Sequence, residues 1–246
     1  MRKNGRWRAV VFDLDDTLVD SKKDYPIFKR CVLAELRNKG VEESLLDPHD
    51  SVLANIRKGK QYLSKQSEHF NGDELERDIN MILNHIEMAN IDQVKAFPGA
   101  QQALEHVIDL GLTVAVLTRA SRTYTERALA ITSLDDKVTT CVCRDDYPLE
   151  EAKPNPRSMR RVAAKISVPP ASCIVMGDHP MDRECAKACG AEFVGVLTGS
   201  TDHAEWNSQG CELVIDSVAN APEVLAKLMA RRNESFKRQF HTVPKG

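Results

Sequence analysis

Three short apolar runs in this 246-residue chain break off at polar residues: Ala9–Phe12 at Asp13, Thr113–Leu117 at Thr118, and Cys173–Met176 at Gly177-Asp178. Runs of this length suit strands buried on both faces. Apolar residues recur at helical spacing over Pro98–Leu110, Thr123–Ile131, Pro156–Ile166, Asp182–Cys189 and Pro222–Arg231. Further short strands are expected at Val138–Cys143, Phe193–Leu197 and Leu213–Ile215. Alternating strands and helices predict an α/β fold, a doubly wound parallel sheet covered on both faces. The carboxyl ends of such strands share one rim. Asp13, Asp15, Thr118 and Asp178, remote in sequence, are therefore expected to meet there.

From about Ser21 to Lys95 the pattern changes. Apolar residues fall at helical spacing at Ile27, Cys31, Leu33 and Leu36, then at Val52, Leu53, Ile56 and Leu63, then at Leu75, Ile79, Leu83 and Ile86. Nothing there alternates as a strand does. Residues 22–94 are expected to form a small helical domain inserted into a core made of 1–21 and 95–246. Gly59 is expected to interrupt or end a helix. Residues 232–246 carry Arg232, Lys237, Arg238 and Lys245 without a clear core face, and a frayed tail is expected.

Hydrophobic residues make up 42% of the chain and charged residues 28%, the balance of a globular protein. A formal net charge of -2 makes no case for a nucleic-acid or membrane surface. No apolar run approaches the roughly 20 residues of a membrane span, and Met1–Arg8 reads as too short for a secretory signal. The seven cysteines show no zinc-like spacing: Cys141 and Cys143 are two apart, Cys185 and Cys189 four apart, with no matching pair. Reduced thiols in a cytoplasmic protein are expected.

Asp13 and Asp15 are two apart where a strand gives way to a loop. Side by side, two carboxylates repel unless a cation or a shared proton relieves them. The pair invites Mg²⁺, or splits into an ionised nucleophile and a protonated acid; taken alone it is equally a solvated acidic turn. Lys153, in Lys153-Pro154-Asn155-Pro156, adds an ammonium to the inventory. Carboxylates, a hydroxyl and an ammonium suit a phosphate with a metal.

In this order, Phe12–Asp20 (FDLDDTLVD), Leu117–Thr118 (LT), Lys153–Pro156 (KPNP) and Gly177–Asp182 (GDHPMD) resemble the four motifs of the haloacid dehalogenase superfamily. The resemblance spans Arg8 to about Leu228 and implies a Rossmann-like core with a helical cap. It implies that Asp13 is the nucleophile and Asp15 the general acid and base. It also implies Mg²⁺ held by the Asp13 and Asp178 carboxylates and the Asp15 carbonyl. Thr118 and Lys153 would bind the phosphoryl group. Asp182 is either a support of the metal site or a helix N-terminal acid. Arg119 is a second anion contact or a solvated arginine; His179 reads as polar filler, Asp16 and Asp20 as turn caps.

An insertion after the first motif implies a cap hinged near Val19–Lys23 and Lys95–Pro98. Arg57, Lys58, Lys60, Gln61 and Tyr62 are candidates to face substrate, or else a solvated helix face. The expected activity is Mg²⁺-dependent hydrolysis of a small phosphorylated metabolite by a monomer or homodimer, most similar to phosphoglycolate phosphatases. A phosphosugar mutase and a non-catalytic binding module are the alternatives.

Overall fold

A computed structural model describes the backbone of residues 7–240 and the side chains of residues 7–231. The chain enters through β1 (Ala9–Phe12), turns through β2 (Val19–Asp20) and leaves into three helices, α1 (Tyr25–Asn38), α2 (Val52–Gln66) and α3 (Gly72–Ala89). It returns by β3 (Lys95–Ala96) to α4 (Ala100–Asp109), β4 (Thr113–Leu117), α5 (Arg122–Ile131) and β5 (Thr140–Val142). The second half runs α6 (Pro156–Lys165), β6 (Cys173–Gly177), α7 (Pro180–Ala188), β7 (Glu192–Val196), α8 (His203–Ser208), β8 (Val214–Ile215) and α9 (Ala221–Phe240).

The main sheet has six strands in the order β5-β4-β1-β6-β7-β8, each pair parallel. The chain builds outward from β1 through β4 to β5, then crosses back to place β6 on β1's other side. β1 is thus where the strand order reverses, and a doubly wound sheet leaves a crevice beyond its carboxyl end. Side-chain alternation covers both faces. Val10, Phe12, Val114, Val116 and Met176 pack with α4, α5 and α9, while Ala9, Val11, Ala115, Leu117 and Val175 pack with α6, α7 and α8.

Helices α1–α3 have a core of their own, with Phe28, Leu36, Ile56, Ile79 and Leu83 joined by Leu149 from the loop after β5. Gly59 sits inside α2 rather than ending it. A Cβ there would stand 2.7 Å from Leu36 Cδ2, so the missing side chain lets α1 and α2 approach, which offsets a helix-propensity cost of about 1 kcal/mol. β2 and β3 pair antiparallel, Val19 with Ala96 and Asp20 with Lys95. The two connections to the inserted helices therefore form one ribbon.

α9 runs to Phe240, nine residues past the expected end at Arg231. The added stretch contains no glycine or proline and several good helix formers, which favour a helix there. Residues 241–246, the rest of the expected frayed tail, lie outside the described residues. Among the described residues no helix is long and apolar enough to cross a membrane.

Candidate active site

The β1 ladder continues one residue past the strand, where the Asp13 N–H donates to the Met176 carbonyl at 2.9 Å. A tight turn follows. Asp16 takes a left-handed conformation (φ 57°) and its N–H donates to the Val19 carbonyl at 2.8 Å. Leu14 and Leu18 are buried beneath the turn, which anchors Asp13 and Asp15 at the rim. Asp178 ends β6, and Asp182 lies one turn into α7. Carboxylate oxygens of Asp13, Asp178 and Asp182 lie within 4.8 Å of one another.

Lys153 stands among them. Its Nζ donates to Asp13 Oδ1 at 2.5 Å, Asp182 Oδ1 at 2.6 Å and the Leu117 carbonyl at 2.8 Å. Burial would push this ammonium down, but Asp13 and Asp182 outweigh it and the net shift is upward. Asp182 is the helix N-terminal acid that was one of its two expected readings, and it also grips Lys153. Besides holding Lys153, its Oδ2 accepts the His179 N–H at 3.2 Å, while His179 Nδ1 accepts the Met181 N–H at 3.2 Å, a reciprocal cap on α7. His179 is thus a helix cap rather than filler.

Burial pushes the Asp13 carboxyl up to about 7, with Lys153 pulling back and Asp182 pushing further. Burial pushes Asp178 up to about 8, helped by Asp13 and Asp182. Three carboxylates against one ammonium leave the cluster short of positive charge. Its hard oxygen donors fit a hard divalent cation. Thr17 donates its hydroxyl to Asp178 Oδ1 at 2.9 Å. Close packing is also built in at Gly199, where a Cβ would collide with Asp178 Oδ2.

The Asp15 side chain is engaged elsewhere. Tyr124 OH donates to Oδ1 at 2.9 Å and Lys23 Nζ to Oδ2 at 2.7 Å. Lys23 also sits 3.8 Å above the centre of the Tyr124 ring. The buried Thr118 hydroxyl accepts the Ala120 N–H at 3.0 Å and keeps its own proton to donate. Arg119 lines the cavity wall, its Nη1 donating to Met181 Sδ at 3.1 Å. It is neither a free surface side chain nor paired with a carboxylate.

Asp13, Asp15, Lys23, Thr118, Arg119, Lys153, Asp178 and Asp182 border a cavity of about 490 Å³ that reaches up to α1, α2 and α3. Arg57, Lys58, Lys60, Gln61 and Tyr62 do not line it. Lys58 pairs with Asp50, Lys60 with Glu76 and Glu150, and Tyr62 with Glu42, so acidic neighbours draw these groups aside. Sequence reasoning missed Lys23, Tyr124, Thr17, Arg144 and Glu87. Arg144 Nη1 donates to Glu87 Oε1 at 2.6 Å, and the guanidinium also reaches Asn80 and Asn84, all on α3. Only Thr17 lies in a recognisable motif; Lys23 reaches back eight residues to Asp15, and Tyr124, Arg144 and Glu87 find partners far away in sequence.

A family model described as haloacid dehalogenase-like hydrolase matches residues 10–196. The chain belongs to this family. Within it, the haloacid dehalogenase-like chain is similar to the phosphoglycolate phosphatase of Nitrosospira multiformis, 24% identical over 226 residues that cover 89% of this chain and 96% of that one. It is also similar to the N-acetylmuramic acid 6-phosphate phosphatase of Pseudomonas putida, 24% identical over 86% of this chain and 92% of that one. The fold matches the crystal structure of a hydrolase from Pseudomonas syringae with TM-score 0.64 and 24% identity, over 89% of this chain and 98% of that one.

Proposed function

We propose that this haloacid dehalogenase-like protein is a Mg²⁺-dependent phosphatase that hydrolyses a phosphomonoester through an aspartyl-phosphate. The observation that carries this reading is the division of labour at the rim. Asp13, Asp178 and Asp182 gather around Lys153, while Asp15 is held apart by Tyr124 and Lys23. The names of the relatives, phosphatases of phosphoglycolate and of a sugar phosphate, support the same reaction class.

The carboxylate of Asp13 attacks phosphorus and forms the acyl phosphate. Asp15 gives a proton to the departing alkoxide, then takes one from the water that hydrolyses the intermediate. Lys153 offsets charge on Asp13 and the phosphoryl oxygens, and the Thr118 hydroxyl donates to one of those oxygens. Arg119 stands ready for another. When bound, Mg²⁺ supplies charge neutralisation at the phosphoryl group. Asp182 keeps the Lys153 ammonium in place.

Residues 22–94 act as a cap domain that moves on the β2–β3 ribbon and excludes water when closed. Arg144, reaching from the core to Glu87, Asn80 and Asn84, holds the closed position. Seven cysteines without disulfides suit a cytoplasmic setting.

The test is p-nitrophenyl phosphate hydrolysis with Mg²⁺, with EDTA, and by Asp13→Asn. Turnover should require Mg²⁺, and kcat should fall by about three orders of magnitude or more in Asp13→Asn, where the covalent step is lost. A purified wild type inert toward p-nitrophenyl phosphate and a wide phosphomonoester panel would leave the binding-module reading in its place.

A further inference from the structure

The space above the rim is larger than a small phosphorylated acid needs. A phosphoryl group, an ion and its waters take on the order of 150–200 Å³, at about 30 Å³ per water-sized unit. The cavity measures about 490 Å³, so more than half of it is left for the body of the leaving group. That part is walled by Phe28, Val52, Leu53, Ile56 and Leu83 from the inserted helices and by Leu149 from the loop after β5. These side chains offer no hydrogen bonds.

Several polar groups that reach the upper wall already have partners. Lys23 is held by Asp15. Lys29 donates to the Pro48 carbonyl at 2.8 Å. Tyr25 OH donates to Asp16 at 3.0 Å. Arg144 is taken by Glu87, Asn80 and Asn84, and Glu87 in turn accepts from Arg144 and the Ser121 N–H. Arg119 donates to Met181 Sδ at 3.1 Å. A carboxylate or a ring of hydroxyls pressed against Phe28, Val52, Leu53, Ile56, Leu83 and Leu149 would lose its water and gain no partner from them, at a cost of roughly 1–3 kcal/mol per group. An alkyl or aryl group would gain by leaving water.

Building on the phosphatase reading, we infer that the preferred substrate is the phosphomonoester of an alcohol with an apolar body, rather than a phosphorylated hydroxyacid or sugar. The apolar body lies between α1, α2 and Leu149, and the phosphoryl group rests on the rim below. Discrimination comes from the upper wall; the rim treats all phosphoryl groups alike.

The experiment is a series of kcat/KM values with Mg²⁺ for ethyl, butyl and hexyl phosphate and phenyl phosphate, beside phosphoglycolate and glucose 6-phosphate. Along the alkyl series kcat/KM should rise roughly fourfold per methylene, the factor expected for burial of one such group, and hexyl phosphate should exceed phosphoglycolate at least tenfold. Val52 is half-buried in that wall, and Val52→Asp should cut kcat/KM for hexyl phosphate at least tenfold. Lys29→Met should leave phosphoglycolate turnover unchanged. A flat or falling alkyl series, or phosphoglycolate or glucose 6-phosphate ahead of hexyl phosphate, overturns this inference and leaves the phosphatase reading intact. Inactivity toward every ester removes both.

Discussion

The hydroxyl of Thr17 reaches Asp178 over 161 positions of sequence and touches no other described partner. It holds one oxygen of a candidate metal ligand, and outer partners of this kind typically affect metal affinity 10–100-fold. Thr17→Val keeps the volume and removes the bond. The apparent Mg²⁺ affinity should fall by about 10–100-fold, with kcat at saturating Mg²⁺ close to wild type, read from Mg²⁺ titrations of p-nitrophenyl phosphate hydrolysis. Asp13, Asp15, Thr118, Lys153, Asp178 and Asp182 could all be picked from their places in short motifs. Lys23 and Tyr124 could not: each grips Asp15 by virtue of where α1 and α5 start, and no local pattern encodes that. Arg119 was ambiguous because a residue after a strand end faces cavity or solvent according to what packs above it.

Helix α3 meets the core through one buried ion pair. Glu87 and Arg144 are 3% and 5% exposed, so neither charge has water to fall back on. Burial pushes the Glu87 carboxyl up, but Arg144 and then Lys23 overrule it and the net shift is below the ordinary value. Arg144→Met removes the nearer cation, leaves Glu87 only Lys23 at 3.9 Å and the Ser121 N–H, and should cost about 3 kcal/mol. Arg144→Met with Glu87→Met should recover a large part of that loss. The sign with pH also differs. In the wild type the depressed folded value gives stability that is full above the unfolded value of about 4.3 and fades as pH falls through the folded one. In Arg144→Met the carboxyl is raised instead, so stability fades as pH rises. Urea unfolding of both proteins between about pH 4 and pH 7 checks the opposite slopes. Of the elements, the buried strands were legible because an unbroken apolar run has one reading. The ribbon of β2 and β3 was not, since two-residue strands leave no period to detect, and Gly59 misled because its tolerance is set by Leu36 on another helix.

For the molecule as a whole, the crowding of Asp13, Asp178 and Asp182 should cost stability that a bound cation would restore. Mg²⁺ at about 100 times its Kd should add about 2.7 kcal/mol. For a chain of this size that is a rise in Tm of roughly 5–10 °C, reversed by EDTA and much reduced in Asp13→Asn when followed by calorimetry. The doubly wound sheet, the helical insert and the ordered motifs were set by the sequence alone, because strand and helix periods and the polar residues that stop each run are local properties of the chain. Tertiary structure decided the rest: which carboxylate shares its site with Lys153, which is held apart by Tyr124 and Lys23, and that α2 turns Val52, Leu53 and Ile56 rather than Arg57, Lys58 or Lys60 toward the cavity. Those outcomes depend on groups brought together from separate elements by packing, and spacing along the backbone carries no record of such distances.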